Sequence, residues 1–227
     1  MEWAKCYETH PVSGVYQERA SDAHRKLIFR IAGCLADQMD EIKWEERLNA
    51  PLPIGLFQGV NVAVDTTPFE LPKSDNLHYN GMYYSPHYHM CCLRYEMGVK
   101  LTDSRIVWWK GPIRGARHDA AAFREFGMSD HLLAGECVLG DFGYRGLERV
   151  VTPFHQADPA LNHRIYSARV VIEQVNGRLA DFGCLDQVWR HSIEHHLPVA
   201  HVLAHVSNMK LVYQPIRALG PNPYLFQ

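Results

Sequence analysis

Asp65, Asp141 and Glu173 are acids whose neighbours leave them free for chemistry. Residues 59–65 (GVNVAVD) alternate apolar and polar side chains and are rich in valine. That pattern predicts a strand ending at Asp65 and broken by Thr66, Thr67 and Pro68. Residues 137–141 (CVLGD) form a second apolar run ending in a carboxylate, closed by Gly143 and Gly146. Glu173 lies in a segment where Val171, Val175, Leu179 and Phe182 recur at steps of four and three, which predicts a helix from about Ser167. It stands two positions from Val171, roughly 200° round the helix, off the apolar stripe and on the side shared by Arg169, Asn176 and Ala180. Two acids at strand ends and one on a facing helix suit phosphoryl transfer with hard divalent ions. Mg²⁺ takes oxygen ligands at about 2.0–2.1 Å and keeps several waters, so few protein ligands suffice. Two such ions can activate the attacking oxygen and stabilise the leaving one. Each acid also has a plain reading: Asp65 and Asp141 as turn formers, Glu173 as the i,i+4 partner of Arg169.

Bringing these acids together requires a sheet and a helix packed across its edge. Residues 88–100 and 105–109 read as two further strands, joined by a turn over 101–104 that Thr102, Asp103 and Ser104 suit. A short helix over 118–126 follows Gly111, Pro112 and Gly115, and residues 150–152 read as a brief strand before Pro153. Ahead of these, 21–48 read as one long helix. Leu27, Ile28, Ile31, Leu35, Met39 and Ile42 give it a single apolar stripe, Ser21 or Asp22 caps it, and Pro51 and Pro53 prevent its continuation. A less regular helical segment, interrupted by Pro198, covers 193–213. The order strand, strand, strand, helix, strand, helix predicts an α/β domain on a mixed sheet. Residues 1–58 are expected to form a helical segment without a clear helix-turn-helix, and residues 59–227 the catalytic domain.

The chain of 227 residues, 47% apolar and 21% charged, is long enough for one sizeable core. No run approaches the roughly 20 apolar residues of a membrane span, and the start, MEWAKCYETH, has no secretory core, so no membrane association is expected. Six cysteines without a CxxC pair read as reduced, buried thiols. A net charge of −2, with basic residues only in clusters such as Lys110, Arg114 and Arg117 or Arg145 and Arg149, argues against strong unaided DNA binding. His191/His195 and His201/His205 have chelating i,i+4 spacing, but there is no HExxH and no cysteine at matching spacing, so zinc is disfavoured. Neither a G-x-S-x-G elbow nor a Walker loop is present.

The blocks GVNVAVDTTPFEL, MYYSPHYHMCCLRYEMGV, GPIRGARHDAAAFRE, GECVLGDFGYRGLERVVTP and NHRIYSARVVIEQVNGRLADFGCL, in that order, resemble the signature blocks of the DDE endonuclease domain of Harbinger-type transposases. The resemblance covers about residues 59–185. It implies an RNase H-like mixed sheet flanked by helices, here with an added N-terminal helix and a C-terminal helical tail. It also implies strand cleavage and transfer on DNA with Mg²⁺ or Mn²⁺ at a two-metal site, and it aligns the family's triad with Asp65, Asp141 and Glu173. Asp119, in R-G-A-R-H-D, falls in a recurring family block, as a fourth metal contact, a neighbour of the ligands or a helix cap. Arg117 and His118 are candidates for phosphate contact or, on the favoured reading, plain loop residues, and Arg169 is a candidate neighbour of the ligands or phosphate contact. Tyr144 is expected to pack beside the second Asp. Two places depart from the family's pattern: Thr66 replaces a frequent glycine, and the pair Pro86 and His87 stands where a lysine is common. Members typically act in the nucleus with a separate Myb-like DNA-binding partner, and a homo-oligomer is compatible with the resemblance. The rival readings are a domesticated transposase-derived DNA- or protein-binding factor without turnover, and a metal-dependent phosphohydrolase of small phosphate esters.

Overall fold

The valine-rich alternation around Asp65 forms β1 (Val60–Glu70), the central strand of a six-stranded sheet. The computed structural model describes residues 14–49, 59–154 and 158–216; Cys6, Pro51 and Pro53 lie outside them. On one side β1 pairs antiparallel with β3 (Met90–Lys100), which pairs with β4 (Ile106–Arg114) and with the two-residue β2 (Tyr84–Ser85). On the other side β1 runs parallel to β5 (Cys137–Leu139), and β5 parallel to β6 (Val150–Val151).

Helices cover both faces. The helices are α1 (Gly14–Gln38), α2 (Leu77–Tyr83), α3 (Asp119–Phe126), α4 (Pro159–Ala180), α5 (Gly183–Asp186) and α6 (His196–Tyr213). Alternation along β1 splits the core in two. Ala63 joins Tyr95, Met97, Ile172, Val175 and Leu179 beneath α4, while Val62 and Val64 join Trp108, Phe123, Met128 and Tyr144 on the α3 face. Val171, Ile172, Val175 and Leu179 are fully buried, so α4 is held mainly by apolar burial, at about 1.5–3 kcal/mol per side chain. A central first strand with an antiparallel neighbour on one side, parallel strands on the other and helices on both faces is the expected RNase H-like arrangement, with helical parts at both ends.

Several boundaries differ from expectation. β1 continues past Asp65 through Pro68, which pairs with Arg94. Pairing with β5 stops at Ala63, so β1 has one free edge there, where a strand tolerates proline. The 137–141 run leaves strand geometry at Leu139. α4 begins at Pro159, with Asp158 capping the Ala160 N–H at 2.9 Å, and ends at Ala180, before Phe182. Pro198 does not interrupt α6, because it occupies the first turn, where backbone N–H groups have no intrahelical acceptor.

The first helix differs most. It starts at Gly14, so Ser21 and Asp22 lie inside it, and it ends at Gln38. Residues Trp44–Leu48 then form a 3₁₀ turn that drives Trp44 and Arg47 into the core. Arg47 donates two 2.8 Å bonds to Glu136, and Trp44 meets Trp108 edge-on, so tertiary contacts at this point displace continued helix. The expected stripe is turned outward. Leu27, Ile28, Ile31 and Leu35 are 39–51% exposed, while Phe29 stacks on His195 and Ala32 is buried on the side packed against α6. The five described cysteines are free thiols; Cys91 and Cys92 are buried, but Cys34 and Cys184 are exposed.

Candidate active site

Parallel pairing fixes the first relation within the site. Ala63 opposes Leu139, so Asp65, still within β1, and Asp141, just past the end of β5, each lie two residues further along neighbouring chains. Asp141 turns into a 3₁₀ segment, where its Oδ1 accepts the Gly143 N–H at 2.8 Å. Asp65 accepts the Thr66 N–H through Oδ1 at 2.7 Å and faces Arg169 through Oδ2, 3.2 Å from Nη2. The same Arg169 nitrogen lies 3.9 Å from Oε1 of Glu173, one helical turn on along α4. A buried guanidinium therefore spans Asp65 and Glu173, and Glu173 points largely into solvent.

Burial raises the Asp65 carboxyl to about 7; Asp141 and Glu173 push the same way, against Arg169 and the Thr66 N–H. Desolvation and neighbouring negative charge both disfavour the ionised acid, so the group is poised to gain from a cation.

Asp119 approaches from the opposite face, at the start of α3. Its Oδ1 accepts the Thr66 hydroxyl at 2.7 Å and pairs with Arg94 Nη1 at 2.9 Å. A methyl at Gly143 would lie 2.7 Å from Asp119 Oδ2 and 3.0 Å from Asp141 Oδ1, so both carboxylates crowd the same bare backbone. Asp119 is not the cap of α3; His118 holds that position without a side-chain bond. His118 is exposed, and Arg117 pairs with Glu125 at 2.5 Å. Asp65, Asp141, Glu173, Asp119 and Arg169 thus gather in one neighbourhood, while Arg117 and His118 stay on the adjoining loop. Tyr144 is fully buried and edge-on to Phe123, with burial and the charges of Glu96, Asp65, Asp119 and Asp141 raising its hydroxyl.

Three further residues belong to this neighbourhood. Tyr88 donates its hydroxyl to the Thr66 carbonyl at 3.2 Å, and burial followed by the Asp65 charge pushes it up to about 12. Arg94 also bonds the Arg117 carbonyl. Glu96, two residues on, accepts from Trp108 Nε1 at 2.8 Å, and burial raises it to about 8. Arg94 and Glu96 were detectable in sequence as charges spaced by two within an apolar strand, which places them on one face. Tyr88 carried no such signal.

The donor set consists of oxygens, as a hard divalent ion prefers, and the Arg169 guanidinium already stands in as a cation between two of the acids. Among the described residues, however, no three His, Cys, Asp or Glu side chains stand at a common ligating distance. His201 and His205 meet edge-on, and His191 and His195 both pack on Phe29.

No curated protein and no solved structure gives a match to the chain. A family model described as DDE superfamily endonuclease matches residues 64–208, well over half the chain and inclusive of Asp65 and the four residues gathered around it. The chain belongs to the DDE superfamily endonuclease family and carries a transposase-type nuclease domain.

Proposed function

We propose that the protein is a divalent-metal-dependent DNA endonuclease of Harbinger type, cutting and joining strands through Asp65, Asp141 and Glu173. The supporting observation is the position of Asp65, desolvated between the charges of Asp141 and Glu173 and matched by a single guanidinium. Asp65 and Asp141 would hold Mg²⁺ or Mn²⁺ at a two-metal site, with Glu173 completing one position. Bound there, the ions supply Lewis-acid stabilisation of the phosphate and activation of the attacking oxygen. The chain's own residues orient these acids. The Thr66 N–H fixes one oxygen of Asp65, the Gly143 N–H fixes one of Asp141, and Asp119, tied to Thr66 and Arg94, fastens the start of α3 to the strand that carries Asp65. Residues 59–227 would form the catalytic domain and 1–58 an attached helical segment. DNA is the substrate, the nucleus the site of action, and a Myb-like partner or a second copy would supply the grip that a net charge of −2 does not.

Nicking of supercoiled DNA in Mn²⁺ tests this reading. Wild type should nick and Asp65→Asn should fall to background; equal rates would remove the assignment. The net charge of −2 favours one alternative, a domesticated transposase-derived DNA- or protein-binding factor without turnover. Calorimetry with Mn²⁺ separates the two, since the nuclease should bind the ion and lose it in Glu173→Gln.

A further inference from the structure

We infer that Arg169 is a resident cation at this site, a guanidinium that occupies the space between Asp65 and Glu173 and that a divalent ion must displace. The inference rests on the reading of those two acids as metal ligands. Comparison with the Arg47–Glu136 pair, buried on both sides, carries it, together with the 3.9 Å gap that Arg169 leaves to its second acid. Arg47 meets Glu136 through two parallel bonds of 2.8 Å and spends further donors on the carbonyls of Trp44 and His131, the forked fit of a permanent structural pair. Arg169 has no such fit. It reaches Asp65 through one nitrogen at 3.2 Å, leaves Glu173 at 3.9 Å, and its Nε is buried without a partner. A buried guanidinium with an unused donor is poorly satisfied where it lies.

The two acids differ in freedom. Asp65 is held by the Thr66 N–H and its side chain is 14% exposed; the Glu173 side chain is 60% exposed. Separations of 3.2 and 3.9 Å suit an ion pair, whereas Mg²⁺ needs oxygens at about 2.0–2.1 Å. One positive charge also under-compensates Asp65 and Glu173 together, and Asp141 adds to the excess. Exchange would then withdraw Arg169 and bring Glu173 inward while Asp65 stays in place. The guanidinium keeps the metal-free site neutral enough to fold and lowers its affinity for the ion.

Mn²⁺ binding to the full chain, measured by calorimetry and by thermal melting with and without the ion, tests this. Arg169→Ala should bind Mn²⁺ about tenfold more tightly than wild type, because no internal cation competes. Its metal-free melting temperature should fall, and its rise on adding Mn²⁺ should exceed that of wild type. Arg169→Lys keeps the charge and should bind close to wild type. Arg169→Gln removes the charge but keeps a donor, and gives the same comparison if the alanine variant does not fold. Equal or weaker binding by the uncharged variants, with wild type binding Mn²⁺, overturns the inference and leaves the metal site standing. Failure of every variant and of wild type to bind Mn²⁺ overturns the metal-site reading and the inference with it.

Discussion

Thr66 donates its hydroxyl to Asp119 at 2.7 Å while its own N–H holds Asp65. Because side chains alternate along β1, Asp65 turns toward α4 and Thr66 toward α3. One residue therefore couples the acid beneath one helix to the acid at the start of another. A glycine at position 66 could make only the backbone bond, so the threonine side chain is what supplies the link to Asp119.

The coupling predicts a stability role for Asp119. Arg94 is almost fully buried, and removing its carboxylate partner leaves a desolvated charge bonded to the Arg117 carbonyl. Asp119→Ala is expected to lower unfolding free energy by about 3 kcal/mol, and Asp119→Asn by less, since an amide still accepts from Thr66. Urea denaturation measures both. An alanine variant with an unchanged midpoint would show that the pair contributes nothing.

Gly143 predicts an effect on function with a modest effect on folding. An added Cβ would sit 2.7 Å from Asp119 Oδ2 and 3.0 Å from Asp141 Oδ1, so one or both carboxylates must move. Gly143→Ala should cost about 1–2 kcal/mol, as overpacking at a loop does. Mn²⁺ affinity should fall roughly tenfold or more as Asp141 is displaced, on the scale of about 1.4 kcal/mol per decade. Calorimetry showing wild-type affinity would contradict the proposed role of Asp141.

Glu96 gives a pH signature. Burial raises it from 4.5 to about 8, so the folded protein holds a proton that the unfolded chain has released across that interval. Stability from this group is complete below about pH 4.5 and is lost as pH rises toward 8, at up to about 1.4 kcal/mol per pH unit. Asp65, raised to about 7, adds a slope of the same sign between about pH 4 and 7. Glu96→Gln should flatten the upper part of the decline. Denaturation at pH 5 and pH 8 measures it, and parallel curves for variant and wild type would contradict a protonated Glu96.

The fold was legible wherever local pattern and long-range packing agreed. Alternation marked β1, the Val171–Val175–Leu179 periodicity marked α4, and the element order gave the mixed sheet. Boundaries failed where distant partners decided them. β3 extends β1 through Pro68, and burial of Trp44 and Arg47 ends the first helix region in a 3₁₀ turn. The start of α4 was readable from Asp158 followed by Pro159, a cap and a first-position proline. At the site, the acids stood out because each occupied a position without core duty. Tyr88 and Thr66 enter through contacts that no spacing encodes. Arg169 was legible as an i,i+4 neighbour of Glu173, but its link to Asp65 crosses 104 positions of sequence.

Arg47 supports a last prediction, about how the helical segment before β1 is fastened. Its fork on Glu136 is buried on both sides, and Glu136 also accepts from the Leu133 N–H at 2.9 Å and from Asn61 at 3.4 Å. Burial alone would raise Glu136, yet the Arg47 bonds and the Leu133 N–H hold it below its ordinary value. The pair therefore adds stability above about pH 4.5 that is lost as the acid protonates at lower pH. Arg47→Met leaves Glu136 desolvated and short of its main partner, and should cost about 3–5 kcal/mol near neutral pH. Arg47→Met with Glu136→Leu removes both charges and should recover part of that loss, with the Leu133 N–H and Asn61 amide still short of an acceptor. The single variant should also become more sensitive to proteolysis between residues 39 and 49, because the 3₁₀ turn loses its anchor. Urea midpoints for the three proteins decide the matter. A single variant as stable as wild type, or a double variant no better than the single, would mean that Trp44 and its neighbours fasten the segment without the ion pair.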